Sequence, residues 1–328
     1  MPAPRSPNPV APDFLVIGTA KAGTTSLHHI LSTHPDVCLS TPKETWFFDG
    51  PAYAQGVDHY LARHFAEARP GQLRGEVATS YLYAPFVAER LAQAAPGARL
   101  IAILRDPVER AFSDWWMMHS RGWEPLSFEE AIADNLRRLE EGPDFSDPAD
   151  WVAHLDAIRR DGRIRHRTYV DYGFYGEQLA RYAAQGFGPD RLLVLQFEQL
   201  RRQGPGYFDQ VHAFLGLDKP APEALEQTAT PQNEALPSRR IGQAVHLLHR
   251  TGVSRLVPTG VKDAAKRVLG RMQRSQTMAP GTRAMLSELY RERLLQGTGT
   301  ARLDGGLEGF DMGLWKSMAP ASRVREKS

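Results

Sequence analysis

Cysteine is almost missing from this chain: Cys38 is the one example in 328 residues. An intramolecular disulfide is therefore ruled out, and so is a cysteine-rich metal site. Excess charge is equally scarce, with 40 lysines and arginines against 38 aspartates and glutamates, a formal +2. A field that weak does not by itself imply a nucleic-acid partner. No apolar run approaches the roughly 18 residues that cross a bilayer. The opening MPAPRSPNPVAPD lacks the apolar core of a secretory signal, so a cytoplasmic location is the default expectation. The 11 histidines show no metal-ligand spacing, and no metal is expected. What remains is 42% hydrophobic and 24% charged, the composition of an ordinary globular protein able to bury a core.

Residues 1–12, rich in proline, read as a disordered leader. Phe14-Leu15-Val16-Ile17 is a short apolar strand ended by Gly18, and a helix is expected from Thr24 through Ser32. Val37-Cys38-Leu39 reads as a second strand, Gly75 to Ala78 as the end of a third, and Ala84 to Ala94 as a helix. Arg99 to Leu104 is the clearest buried strand, because its aliphatic run is continuous rather than alternating. Pro107 then opens a helix toward His119, and Ser127-Phe128-Glu129-Glu130 has capping-box spacing for another. A last strand, Arg191 to Phe197, precedes a helix through Phe208 and Phe214 to Gly216. Alternating strands and helices predict a single α/β domain over residues 13–315, a central parallel sheet flanked by helices in a P-loop-like architecture. Residues 316–328 read as a flexible tail.

Three segments carry chemistry. In Gly18-Thr19-Ala20-Lys21-Ala22-Gly23-Thr24-Thr25-Ser26, small residues between a strand and a helix let backbone N–H groups curl into an anion nest at the positive helix end. Thr24, Thr25 and Ser26 add hydroxyl donors, and Lys21 adds a mobile charge. A nucleotide-triphosphate loop has its lysine after the second glycine; here Thr24 fills that place and the lysine stands upstream. The plain alternative is a tight turn with an exposed lysine. In the second segment Arg105 ends the strongest strand, and Ser113 lies about two turns into the next helix. A guanidinium fork and a hydroxyl there suit a phosphate monoester. The competing reading pairs Arg105 with Asp106 or Glu109 on the surface. In the third, Glu44 precedes Trp46, Phe47 and Phe48, a setting in which partial burial would tune a carboxylate toward proton abstraction. Trp46, Phe47 and Phe48 themselves read as core rather than as a substrate platform, and Glu76 is a second carboxylate candidate. His119 is a distant alternative base. The basic run Arg159, Arg160, Arg163, Arg165, His166 and Arg167 reads as a solvated face that, beside a cleft, would grip an acidic acceptor.

Taken together these segments resemble the sulfotransferases that use 3′-phosphoadenosine 5′-phosphosulfate (PAPS), above all the branch of heparan-sulfate and related bacterial carbohydrate sulfotransferases. The resemblance rests on the shifted lysine followed by Gly-Thr-Thr, on Leu31 to Val37 (L-S-x-H-P-D-V), and on Glu44 to Asp49 (E-x-x-F-F-D). Gly173 to Leu179 (G-x-Y-x-x-Q-L) adds to it, and the likeness spans roughly Phe14 to Leu217. It implies PAPS as donor with no metal, its 5′-phosphosulfate held by Lys21, Ala22, Gly23, Thr24, Thr25 and Ser26. Arg105 and Ser113 would hold the 3′-phosphate, Lys21 would act catalytically at the breaking bond, and Glu44 would be the base. A basic loop at Ser238-Arg239-Arg240 would cover the nucleotide. Two departures stand out: Trp46 replaces the family's histidine, and Val77 replaces a lysine whose place Lys43 or Lys21 would take. The implied acceptor is a hydroxyl or amine of a carbohydrate or small-molecule natural product; a homo-oligomer is left open. The alternatives are a P-loop small-molecule kinase and a non-catalytic nucleotide-binding regulator.

Overall fold

Parallel strands covered on both faces must be apolar on both, and that requirement selects the sheet. β1 (Phe14–Gly18) is buried throughout, and so is β4 (Arg99–Leu104) after its first residue. The computed structural model describes residues 11–162, 164–218, 277–295 and 310–318. With β2 (Val37–Leu39), β3 (Leu73–Val77) and β5 (Leu192–Gln196), these strands form one five-stranded sheet in the order β2-β3-β1-β4-β5. Every pairing is parallel. All five strands therefore present their carboxyl ends at one edge.

Alternate residues supply the two faces. Leu15, Ile17, Leu100, Ala102 and Leu104 enter a core completed by α3 (Val87–Ala94) and α7 (Tyr175–Ala184). Phe14, Val16, Ile101, Ile103 and Leu195 meet α1 (Thr24–Ser32) and α9 (Asp209–Leu215) on the other side. A Cβ at Gly75 would lie 2.0 Å from the ring of Phe14, its register partner, so only glycine lets that ring cross β3. A third apolar cluster beyond the sheet joins α4 (Pro107–Ser120), α5 (Phe128–Glu141) and α10 (Pro280–Leu295). The capping box at Ser127 and Glu130 forms as its spacing predicts.

Some expectations needed revision. The segment after β5 is not one helix but three pieces: α8 (Phe197–Gln203), a 3-10 turn (Gly204–Phe208) and α9. Gly204 has φ 69, and Pro205 offers no N–H, so the helix cannot run through. Two further helices, α2 (Gly56–His64) and α6 (Pro148–Asp161), form where no element is expected from the sequence. Ala11 is already buried within this body, one residue inside the expected leader. Ser317 is buried as well, beyond the expected boundary at 315. Ser238-Arg239-Arg240 and the basic stretch 261–272 lie outside the described residues.

One polar group organises the core face near the sheet's carboxyl edge. Glu76, on β3, is fully buried and accepts from Thr45 N (2.8 Å), Thr45 Oγ1 (2.8 Å), Tyr60 OH (2.7 Å) and Tyr81 OH (3.0 Å). Burial dominates those hydrogen bonds and lifts its carboxyl from 4.5 to about 7. Between those values the folded chain holds a proton that the unfolded chain has released, so stability falls as pH rises through the window. Glu76→Gln keeps the size of the side chain without the titration, and urea unfolding across pH 4.5 to 7 is expected to show a flatter dependence. An unchanged slope in the variant would contradict this assignment.

Candidate active site

β1 and β4 are neighbours in space but not in sequence, and open α/β sheets bind ligands outside the carboxyl ends at such a reversal. The loop leaving β1 is tied down at Thr19, whose N–H donates to Ile103 O of β4 at 2.9 Å. It then curls through Lys21, at φ 69, and Gly23, at φ 95. Gly23 is the N-cap of α1, and no side chain caps that end or places an acid in its first turn. Its left-handed backbone and tight fit require glycine: a Cβ there would stand 3.1 Å from Phe197 and 3.3 Å from Leu200. Among the described residues, the N–H groups of Lys21, Gly23, Thr24 and Thr25 have no backbone acceptor. Such a row of unmatched donors at a positive helix end is an anion site.

Among the described residues, Lys21 and Arg105 make no ion pair with a carboxylate. Arg105 Nη1 donates to Lys21 O at 3.0 Å, and its guanidinium lies 5.0 Å over the Phe197 ring. The two acids that might have neutralised it are engaged elsewhere. Asp106 caps α4 at Val108 N and Glu109 N and accepts from Ser317, while Glu109 pairs with Arg283 at 2.7 Å. The surface-pair reading of Arg105 is thereby removed. Asp106, at best a poor stand-in for the magnesium-binding aspartate of a kinase, is committed to these same contacts.

Lys21 Nζ reaches α4 and meets Met117 Sδ at 3.5 Å, with no ion pair among the described residues. Burial lowers its pKa first; Arg121, Arg105 and Arg110 push the same way, and Asp114 opposes them. Ser113 stands one turn before Met117 on the same helix face and is half-buried. Lys21, Arg105 and Ser113 are thus brought to one crevice, as the sequence motifs require.

Glu44 approaches the same edge from the loop after β2. Its Oε2 accepts from Thr79 Oγ1 at 3.0 Å, and Oε1 pairs with Lys43 at 3.2 Å. Thr79 in turn abuts Gly18, its carbonyl 3.3 Å from where a Cβ would stand. Glu44 keeps 23% of its side chain exposed, whereas Glu76 is the sealed carboxylate that holds the loop's backbone. Glu44 is therefore the accessible carboxylate of the two. Phe47 and Phe48 are core, as expected, but Trp46, expected there with them, is only half-buried, because the backbone turns at it with φ 52. His119 donates from Nδ1 to Glu124 O at 2.9 Å, and its ring stacks on Trp115. The basic run disperses: Arg167 pairs with Glu124 and Asp134, Arg160 with Asp156, and Arg159 lies on Trp46. Arg163 lies outside the described residues.

Several contributors were not anticipated. Arg121, stacked 5.2 Å over Trp123, adds a third cation acting on Lys21. Its signal was legible, since 113, 117 and 121 share one helix face. Glu198 accepts from Asp106 N at 3.0 Å and Tyr175 OH donates to Arg105 O at 3.0 Å, fixing the tip of β4. The segment 310–318 docks behind that tip. Trp315 is buried with Nε1 donating to Glu198 Oε2 at 3.0 Å, and Ser317 donates through N and Oγ to Asp106 at 2.9 and 2.8 Å.

Comparison with known proteins agrees with this geometry. A family model described as "Sulfotransferase domain" matches residues 11–235. The chain is 37% identical to the membrane-associated sulfotransferase kil1 of Dictyostelium discoideum, over 63% of this chain and 56% of that protein. It is 30% identical to the human bifunctional heparan sulfate N-deacetylase/N-sulfotransferase 3, over 63% of this chain and 22% of that protein. It thus spans little more than half of the first relative's length and under a quarter of the second's. A solved sulfotransferase from Alicyclobacillus acidocaldarius shares the fold, with a TM-score of 0.55 and 24% identity over 87% of this chain and 93% of that one. A family match across most of a chain whose sheet already has the expected form makes it a member of the sulfotransferase family.

Proposed function

We propose that the chain transfers a sulfuryl group from PAPS to a hydroxyl or amine of a carbohydrate or small-molecule natural product. The observation that carries this reading is the contact of Arg105 with the Lys21 carbonyl. It joins two anion-seeking strand ends, neither ion-paired with a carboxylate among the described residues, within one crevice. A nucleotide with anionic groups at both ends needs two such places.

The residues fit the donor's chemistry in named roles. The unmatched N–H groups of Gly23, Thr24 and Thr25, with those of Ala22 and Ser26 nearby and the hydroxyls of Thr24, Thr25 and Ser26, hold the 5′-phosphosulfate. Arg105 and Ser113 hold the 3′-phosphate, Arg105 through the N–H groups that its bond to Lys21 O leaves over. Glu44 accepts the acceptor's proton as the acceptor oxygen or nitrogen bonds to sulfur. The sulfur–oxygen bond to the 5′-phosphate breaks in the same displacement, and its electron pair stays on the phosphate oxygen. Lys21 neutralises that growing charge. Positioning and electrostatics do the work, with an ammonium and a helix end aimed at the leaving group.

Lys21→Ala is expected to lower turnover by about 10² to 10³, the usual cost of removing one aimed donor. Its thermal midpoint should stay that of the parent chain. Glu44→Gln should bind adenosine 3′,5′-bisphosphate like the parent and lose about 10² to 10⁴ of its turnover. Parental rates from it would eliminate Glu44 as the base. Arg105→Ala should weaken bisphosphate binding in calorimetry by about tenfold or more. Thermal-shift measurements test the donor directly: stabilisation by the 3′,5′-bisphosphate alone is expected. Stabilisation by adenosine triphosphate with magnesium instead would favour the kinase alternative.

A further inference from the structure

Glu44 has a neighbour that the proposed chemistry leaves without a task. Trp46 stands two residues on, held at φ 52 and half-buried, while Phe47 and Phe48 beside it are sealed in the core. A bulky residue in the left-handed region is held there against its preference. The guanidinium of Arg159 lies over the Trp46 ring, 3.9 Å from its centroid.

Arg159 comes from the last turn of α6 and is exposed to solvent. Among the described residues it makes no hydrogen bond and no ion pair, although the adjacent Arg160 is paired with Asp156. Glu44, Asp49 and Asp156 are close enough for their charges to act on it. None of the three closes on the guanidinium.

The end of α6 also reaches the other wall of the crevice. A Cβ on Gly162 would stand 2.6 Å from Trp123 Nε1, and Trp123 carries Arg121. The turn bearing Arg159 therefore bridges from the Glu44 loop to the segment after α4. It stands within charge range of Glu44, the carboxylate to which an acceptor would present its nucleophile. Stacking covers one face of the guanidinium and fixes its plane, while the N–H edge stays open. An edge of that shape, already oriented, matches the paired oxygens of a carboxylate or a sulfate ester.

We propose that Arg159, seated on Trp46, determines acceptor specificity by binding a carboxylate or sulfate group carried by the acceptor. This rests on the sulfuryl-transfer reading above. The test compares p-nitrophenyl glucoside, its 6-sulfate and p-nitrophenyl glucuronide as acceptors, with PAPS as donor, in the parent chain, Arg159→Ala and Trp46→Phe. One or both anionic glycosides should be preferred over the neutral one by about ten- to a hundredfold in kcat/KM, carried mainly by KM. Arg159→Ala should abolish that preference and leave the neutral glycoside's rate unchanged; Trp46→Phe, which keeps a ring beneath the cation, should retain most of it. No preference in the parent chain, no turnover of any of the three, or a preference that survives Arg159→Ala overturns the assignment. Bisphosphate calorimetry on the same samples separates the two readings. Absent nucleotide binding in the parent chain sinks sulfuryl transfer itself, whereas intact binding without charge preference sinks the role of Arg159 alone.

Discussion

The hydrogen bond from Arg105 to the carbonyl of Lys21 is the constraint around which the site is arranged. It locks the loop leaving β1 to the tip of β4 and brings Lys21 and Arg105 to one crevice, neither ion-paired with a carboxylate among the described residues. Burial makes the ammonium of Lys21 less basic than in water; Asp114 opposes it, while Arg121, Arg105 and Arg110 push the same way as burial. A crevice in that condition gains from a polyanion what it lacks in the free chain. The surroundings hold the arrangement in place: Glu198 and Tyr175 grip the backbone at Arg105 and Asp106, and Phe197 separates Arg105 from Gly23.

The two carboxylates near the crevice divide their tasks by solvation. Glu76 is sealed and saturated with donors, so it serves as the peg on which Thr45, and through it the whole turn from 41 to 49, is hung. Glu44, one residue earlier than Thr45, inherits a fixed backbone while its own oxygens stay at the surface. The role of base proposed for Glu44 needs that combination of a rigid anchor and an accessible end.

What could be read from the sequence was what is local. The strands Phe14–Gly18 and Arg99–Leu104 announce themselves by unbroken aliphatic runs, and α1 and the Ser127 cap by spacing alone. Lys21, Arg105 and Ser113 could be placed together because strand ends in a parallel sheet share an edge. The partners that lock them could not. Glu198, Trp315 and Ser317 act across long separations, and no periodicity in one segment reports a hydrogen bond to another. Arg121 is an intermediate case, since its helical spacing from Ser113 was present but its face had no known neighbour. The single helix expected after β5 failed because an apolar pattern outlasts the backbone that Gly204 interrupts.

The contact between Ser317 and Asp106 joins residues 211 positions apart, and Asp106 is the direct neighbour of Arg105. The last turns of the described chain thus act as a keystone for a pocket encoded near its beginning. An affinity handle spliced in ahead of Met318, or a protease nick between Phe310 and Ser317, would be felt first as a loosened seat for Arg105, well before the sheet itself gave way.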